Sequence, residues 1–189
     1  VKSVFIISKN MNNINVVKIL ERKEKFDNNY LELFTDNYEE IFKNKNIDLI
    51  VEVLGGYDFA KEMILQAIKY RKHVVTANKE IIAKDIDLLV NLSNCNEVSL
   101  AYEASVGGGI PIIKNLKELK KVNKISKISG ILNGTTNFIL TKMFEGLSFE
   151  EALKKAQELG FAESDPTADL EGYDMMRKIA ILSDLAWDT

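Results

Sequence analysis

The segment Gly160 to Lys178 (GFAESDPTADLEGYDMMRK) carries five carboxylates, Glu163, Asp165, Asp169, Glu171 and Asp174, within twelve residues, followed by two cations, Arg177 and Lys178. Asp174 and Lys178 are four residues apart, so on a helix they share one face. As a surface ion pair they would contribute roughly 0.2–0.5 kcal/mol. In a ligand site the same pair is a lysine placed for proton transfer, beside carboxylates that can hold a cationic substrate group. Lysine is ordinarily protonated at neutral pH. Burial or a second cation such as Lys79 would favour release of its proton, and Asp174 would favour its retention. The sequence leaves that balance open. Lys79 itself follows the strand-like run HVVTAN and opens a helix, where a cation opposes the helix dipole. A solvated lysine and a ligand-facing one are equally consistent with that position.

These residues need elements to position them. Strand-like and helix-like segments alternate through the first two-thirds of the chain, the pattern of a parallel, doubly wound α/β sheet. Residues 16–20 and 47–54 (IDLIVEVL) read as strands, with a short helical turn at 38–43. Residues 57–70 read as a helix with Phe59, Met63, Ala67 and Tyr70 on one face. Then come a strand at 73–78, a helix at 80–92 and a strand at 98–105. Residues 1–9 suit either a strand or a helix end. Past Gly107-Gly108-Gly109 the pattern predicts a helix at 111–120 with Pro111 in its first turn, a strand at 124–132 and a helix opened at Asn133. Ser148 and Glu151 have capping-box spacing, and a last helix from about residue 170 carries Met175, Ile179 and Leu182 on one stripe. The domain boundary falls at the triple glycine, giving units 1–106 and 107–189.

Loops at the carboxyl ends of parallel strands are where such sheets bind ligands. Three sit there: Gly55-Gly56, Thr76 to Lys79, and Glu103 to Gly109. One glycine pair alone is a tight turn; three loops in register on one sheet edge favour a cofactor crevice.

Composition narrows the classes. The chain has 189 residues, 46% hydrophobic and 28% charged, which excludes disorder and collagen-like repeats. A net charge of −3 gives no basic face for nucleic acid. No apolar run approaches the roughly 18 residues of a membrane span. One His and one Cys exclude an internal disulfide and leave too few soft ligands for zinc. His73 reads as the cap of a strand, Cys95 as inert among polar neighbours, and Trp187 as core or an interface.

Four blocks, VTANKE, YEASVGGGIPII, GILNGTTNFIL and LGFAESDPTADLEGYDMMRKIAILS, resemble the homoserine dehydrogenase family in order and spacing. The resemblance covers most of the chain from about Ile47 onward. It implies a Rossmann-like nucleotide domain followed by an α+β substrate and dimerisation domain. It also implies NAD(P)-dependent interconversion of L-homoserine and L-aspartate 4-semialdehyde in threonine and methionine biosynthesis, by a cytoplasmic homodimer that binds neither nucleic acid nor membrane. Matched position by position, Lys178 is the proton donor and acceptor, and Glu163 and Asp174 bind substrate. Lys79 lies between nicotinamide and substrate, and Gly160 lies at the cofactor; Gly55, Gly56 and Thr76, in the strand-end loops, are expected to line the same cofactor crevice. Glu103, Val106, Gly108 and Ile110 match positions whose backbone carbonyls hold a sodium ion, a hard cation suited to oxygen. Arg22 and Lys23, after the 16–20 strand, suit the 2′-phosphate of NADP, while Glu21 keeps NAD open. The family opens with a strand and a GxGxxG loop that do not occur here, so residues 1–10 are expected to be the remainder of the following helix, in a chain lacking parts of both domains. Another nucleotide-binding oxidoreductase, or a degenerate non-catalytic domain, are the competing readings.

Overall fold

The computed structural model describes residues 14–188, so the expectation for residues 1–10 lies outside the described residues. Two parallel sheets carry the first half. In one, β1 (Ile19–Leu20) pairs with β2 (Phe34–Thr35). The other has the order β3 (Leu49–Glu52), β4 (His73–Thr76), β5 (Leu100–Ala101). Every strand pairing among the described residues is parallel. The short α1 (Glu39–Phe42) links the two sheets, and α2 (Asp58–Lys69) and α3 (Lys79–Cys95) supply the crossovers within the second. This is the expected doubly wound α/β arrangement, with shorter strands than the sequence suggests and one, β2, that it does not suggest.

The second half is helical: α4 (Ile113–Lys120), α5 (Gly134–Phe144), α6 (Phe149–Glu158), α7 (Thr167–Leu170) and α8 (Tyr173–Trp187). Local chemistry starts several of them. Asn78 caps α3 by accepting the Ile81 amide at 3.2 Å, and Asn133 caps α5 by accepting the Thr136 amide at 2.8 Å. Ser148 and Glu151 close the expected capping box on α6.

One expectation fails outright. Residues 124–132 form no strand. No neighbouring strand lies there to complete a ladder among the described residues; side chains of α8 take the carbonyls instead. The Trp187 indole donates to Ile125 O at 2.8 Å and the Lys178 ammonium to Leu132 O at 2.7 Å. The segment is held as an extended strap, with Ile125, Ile128 and Leu132 against the core. Three smaller corrections concern faces and ends. Pro111 precedes α4 rather than entering its first turn. The buried side of α2 is Ala60, Met63, Ile64, Ala67 and Ile68, with Phe59 and Tyr70 exposed. On α8, Met175 and Ile179 are exposed, and the buried residues are Asp174, Ile181, Leu182 and Ala186.

That last face matters most. Ile181, Leu182 and Ala186 join the same core as Ile81, Ile82 and Leu89 of α3. The second-half helix α8 is thus packed directly on the sheet-flanking α3. Ile181 and Leu182 are fully buried, and each such side chain is stabilised by roughly 1.5–3 kcal/mol. Apolar burial, not ion pairing, fixes α8 on α3 and brings its amino-terminal turn over the start of α3. A separate small core of Ile139, Ala152, Ala156 and Ala162 joins α5 to α6.

The expected last helix is α8, starting at Tyr173; the short α7 ahead of it was not expected, and the chain turns between the two at Gly172 (φ +80°). A left-handed residue there lets the chain turn so that Asp174 enters α8 facing inward. Gly172→Ala is expected to lower unfolding free energy by about 1 kcal/mol through backbone strain alone. Urea denaturation measures it, and an unchanged midpoint would contradict the account.

Candidate functional site

Asp174 lies in the first turn of α8 and is 5% exposed. Its Oδ1 is 2.9 Å from Lys79 Nζ, at the start of α3, and its Oδ2 is 2.8 Å from Lys178 Nζ, one turn along α8. Three residues expected to act together are therefore joined through one carboxylate. Burial opposes ionisation of Asp174, but hydrogen bonds from Lys178, Asn133 and Lys79 outweigh it and hold the carboxyl below the usual range. Lys178 is further pinned by Leu132 O. Next to this cluster, Glu80 takes Arg177 at 3.1 Å and Lys84 at 2.7 Å. Successive residues of α3, Lys79 and Glu80, so engage α8 with opposite charge.

The loop that presents Lys79 is held from beneath. Glu52 ends β3 buried, at 2% exposure, and its carboxylate accepts the Thr76 hydroxyl and the Leu54 amide. Thr76 Oγ1 in turn accepts the Asn78 amide, and Asn78 Nδ2 donates to Gly56 O at 2.7 Å. Thr76, expected at the cofactor, is 1% exposed with its hydroxyl turned to Glu52. It offers no hydroxyl to a ligand and instead ties the Lys79 loop to the glycine turn. Gly55 and Gly56 both have positive φ (+74° and +76°) and no neighbour crowding their missing side chains, leaving open backbone at the carboxyl end of β3.

The other expected site residues do not touch the Asp174 cluster. Glu163 is exposed, and its carboxylate pairs with no described residue; its carbonyl accepts from Gln157 Nε2 at 3.2 Å. Gly160 lies in the turn that closes α6. Arg22 is exposed after β1, and Lys23 pairs with Asp36 at 3.1 Å. The Glu21 carboxylate turns back to the Arg22 amide at 2.9 Å.

In the 103–110 turn, the Glu103 side chain accepts three amides, from Ile112, Ile113 and Lys114, at 2.5, 2.7 and 2.9 Å. Burial opposes its ionisation, and those three amides outweigh that and hold the carboxyl low. The Gly107 carbonyl takes the Ile110 amide, whereas the carbonyls of Val106, Gly108 and Ile110 accept no hydrogen bond from a described residue. A Cβ on Gly107 would collide with the Ile110 carbonyl oxygen. Carbonyl oxygens are hard donors of the kind that hard cations take.

Sequence reasoning placed Asn133 only as the opener of α5. Its side chain also bridges Asp169 and Asp174 at 2.7 and 2.8 Å. The signal was its place within the GILNGTTNFIL block, but nothing in the local pattern reveals a partner 41 residues away. Glu52 was missed for the same reason, its partner Thr76 lying 24 residues away.

Parallel strands with glycine turns at their carboxyl ends, joined to a helical unit that contributes the charged site, define a Rossmann-type nucleotide-binding protein. A family model described as "Homoserine dehydrogenase, NAD binding domain" matches residues 5–103, and one described as "Homoserine dehydrogenase" matches residues 111–189. The chain is 45% identical to the homoserine dehydrogenase of Bacillus subtilis over 173 residues, covering 91% of this chain and 40% of that one. A crystallised homoserine dehydrogenase from Thiobacillus denitrificans superposes with a TM-score of 0.78 at 44% identity, over 82% of this chain and 36% of that one. A hyperthermophilic archaeal homoserine dehydrogenase in complex with NADPH gives 0.75 at 35% identity, over 81% and 48%. The chain belongs to the homoserine dehydrogenase family, and it spans about two fifths of the length of these relatives.

Because the folded carboxyl of Asp174 titrates below its unfolded value, its contribution to stability is complete above about pH 4 and is lost as pH falls through the lower folded value. Asp174→Asn is expected to be less stable than the parent at pH 7 and to show a shallower loss of stability below pH about 4. Urea unfolding at stepped pH measures this; parallel acid limbs would contradict it.

Proposed function

We propose that this chain is the nucleotide-binding and catalytic portion of an NAD(P)-dependent homoserine dehydrogenase. The proposed reaction interconverts L-homoserine and L-aspartate 4-semialdehyde, on the route to threonine and methionine. The observation that carries this reading is the buried Asp174 carboxylate shared by Lys79 and Lys178, at the junction of the sheet-side helix α3 and α8. When bound, a nicotinamide dinucleotide would supply hydride chemistry for the substrate's C4 carbon.

The chain's own residues do the rest. Lys178 Nζ, already donating to Asp174 and Leu132 O, moves the proton of the substrate hydroxyl. Lys79 faces the same carboxylate from the cofactor side and adds positive charge where oxygen becomes anionic. Asp174 and the exposed Glu163 take the substrate ammonium. The open backbone at Gly55-Gly56, with Gly160, lets the dinucleotide approach closely, as glycine does elsewhere. Thr76 acts beneath that crevice through Glu52. Glu103, Val106, Gly108 and Ile110 would hold sodium by their carbonyls, bracing the junction between the two units. The NADPH-bound relative supports NADP as the nucleotide, with Arg22 and Lys23 at its 2′-phosphate; NAD remains compatible with Glu21. A homodimer through the second unit, in the cytoplasm, completes the reading.

In the intact protein, Lys178→Ala is expected to lower turnover by about 10²–10⁴-fold while nucleotide affinity stays within about twofold, the scale of a lost proton-transfer group. Steady-state kinetics and fluorescence titration measure the two, and near-normal turnover would sink the role given to Lys178. Separately, Arg22→Ala is expected to weaken NADPH about tenfold, the scale of one charge-assisted hydrogen bond, and NADH hardly at all. Equal losses for both nucleotides would contradict recognition of the 2′-phosphate.

A further inference from the structure

Asn133 is 4% exposed, and all its side-chain hydrogen-bonding capacity is engaged. Its Oδ1 accepts the amide and the hydroxyl of Thr136 at 2.8 and 2.9 Å. That fixes the side chain to the start of α5 and leaves Nδ2 as a pure donor with two hydrogens. One goes to Asp169 Oδ1, just ahead of α8, and the other to Asp174 Oδ2. The preceding residue supplies the Leu132 carbonyl to Lys178. Leu132, which ends the strap, and Asn133, which follows it, thus grip the cation and the anion of the same pair from outside α8.

We propose that Asn133 is a positioning residue, whose amide fixes the Asp174 carboxylate in the rotation that gives one oxygen to Lys79 and the other to Lys178. A carboxylate has two equivalent oxygens and a broad, roughly twofold terminal torsion. Two lysines alone leave it able to turn and engage a single ammonium with both oxygens. The third donor, aimed at Oδ2 from a helix cap that cannot swing, removes that freedom. Asp169 shares the amide, so its negative charge is also held beside the cluster, and two carboxylates balance two ammonium groups there. Asn133 touches neither substrate nor cofactor in this scheme and acts through Asp174.

The kinetic consequence rests on the dehydrogenase reading; the effect on Asp174 itself does not. Asn133→Ser keeps a cap of comparable strength but is too short to span two carboxylates. Asn133→Asp keeps shape and cap while setting an acceptor against both. In the intact protein, Asn133→Ser is expected to melt within a few degrees of the parent, and Asn133→Asp clearly lower, because it sets a buried carboxylate against two others. Per folded molecule, kcat for homoserine oxidation is expected to fall about tenfold to a hundredfold in both, with KM for the nucleotide within about twofold, the pattern of a lost transition-state arrangement. Asn133→Asp is expected to be the more impaired. Carbon-13 NMR titration, with the Asp174 signal assigned through Asp174→Asn, is expected to show its carboxyl pKa raised in both variants, because a donor to the ionised form has gone.

An Asp174 titration unchanged in Asn133→Ser overturns the proposal, as does a kcat within about twofold of the parent in that variant. Loss of kcat only in proportion to loss of folded protein overturns it too, since that is a helix cap alone. A parent without homoserine-dependent nucleotide reduction would defeat the dehydrogenase reading instead, and the NMR titration would then decide the role of Asn133 alone.

Discussion

One buried carboxylate ties the candidate site of this molecule together. Asp174 is taken out of water by the packing of α8 on α3, and a carboxylate in that position is costly unless cations and hydrogen-bond donors surround it. Lys79, Lys178 and Asn133 provide them, from three different segments of the chain. The requirement runs outward from there. Lys79 must lie at the first residue of α3, so Asn78 must cap that helix and Thr76 must hold Asn78. Lys178 must lie one turn beyond Asp174, so Gly172 must break the chain just before α8.

Two kinds of force divide the work. Apolar burial of Ile181, Leu182 and Ala186 against the α3 core sets where α8 lies, with energies of kilocalories per side chain. Exposed ion pairs such as Lys43–Glu39 or Lys121–Glu118 contribute little and position nothing in the site. The polar network around Asp174 lies between these extremes. It contributes less to holding the helices together than to fixing the orientation of groups that the packing has already brought close.

How much of this was written in the sequence follows from the range of each interaction. The α/β alternation, the capping box at Ser148 and the pairing of Asp174 with Lys178 are local or periodic, and all could be read directly. Lys79 was legible as an electrostatic misfit, a cation at a helix start; the partner that explains it, Asp174, lies 95 residues later. The strap at 124–132 was misread because its β-branched isoleucines suit a strand, and only the distant donors Trp187 and Lys178 make it something else. The same limit hid Glu52 and Asn133, whose residue types have no distinctive local meaning until the fold supplies their partners. Faces of α2 and α8 were misassigned by about one residue's rotation, since flanking apolar residues gave more than one plausible stripe.

The shared carboxylate can be tested without any assumption about substrate. Lys79→Met, Lys178→Met and the double variant form a thermodynamic cycle on unfolding free energy. If Asp174 serves both lysines, either single change leaves it one ammonium, whereas the double change leaves a buried anion with no cation. The double variant is then expected to lose more stability than the sum of the singles, by about 1–3 kcal/mol. Losses that add to within about 0.5 kcal/mol would show that the two lysines are independent and would contradict the account.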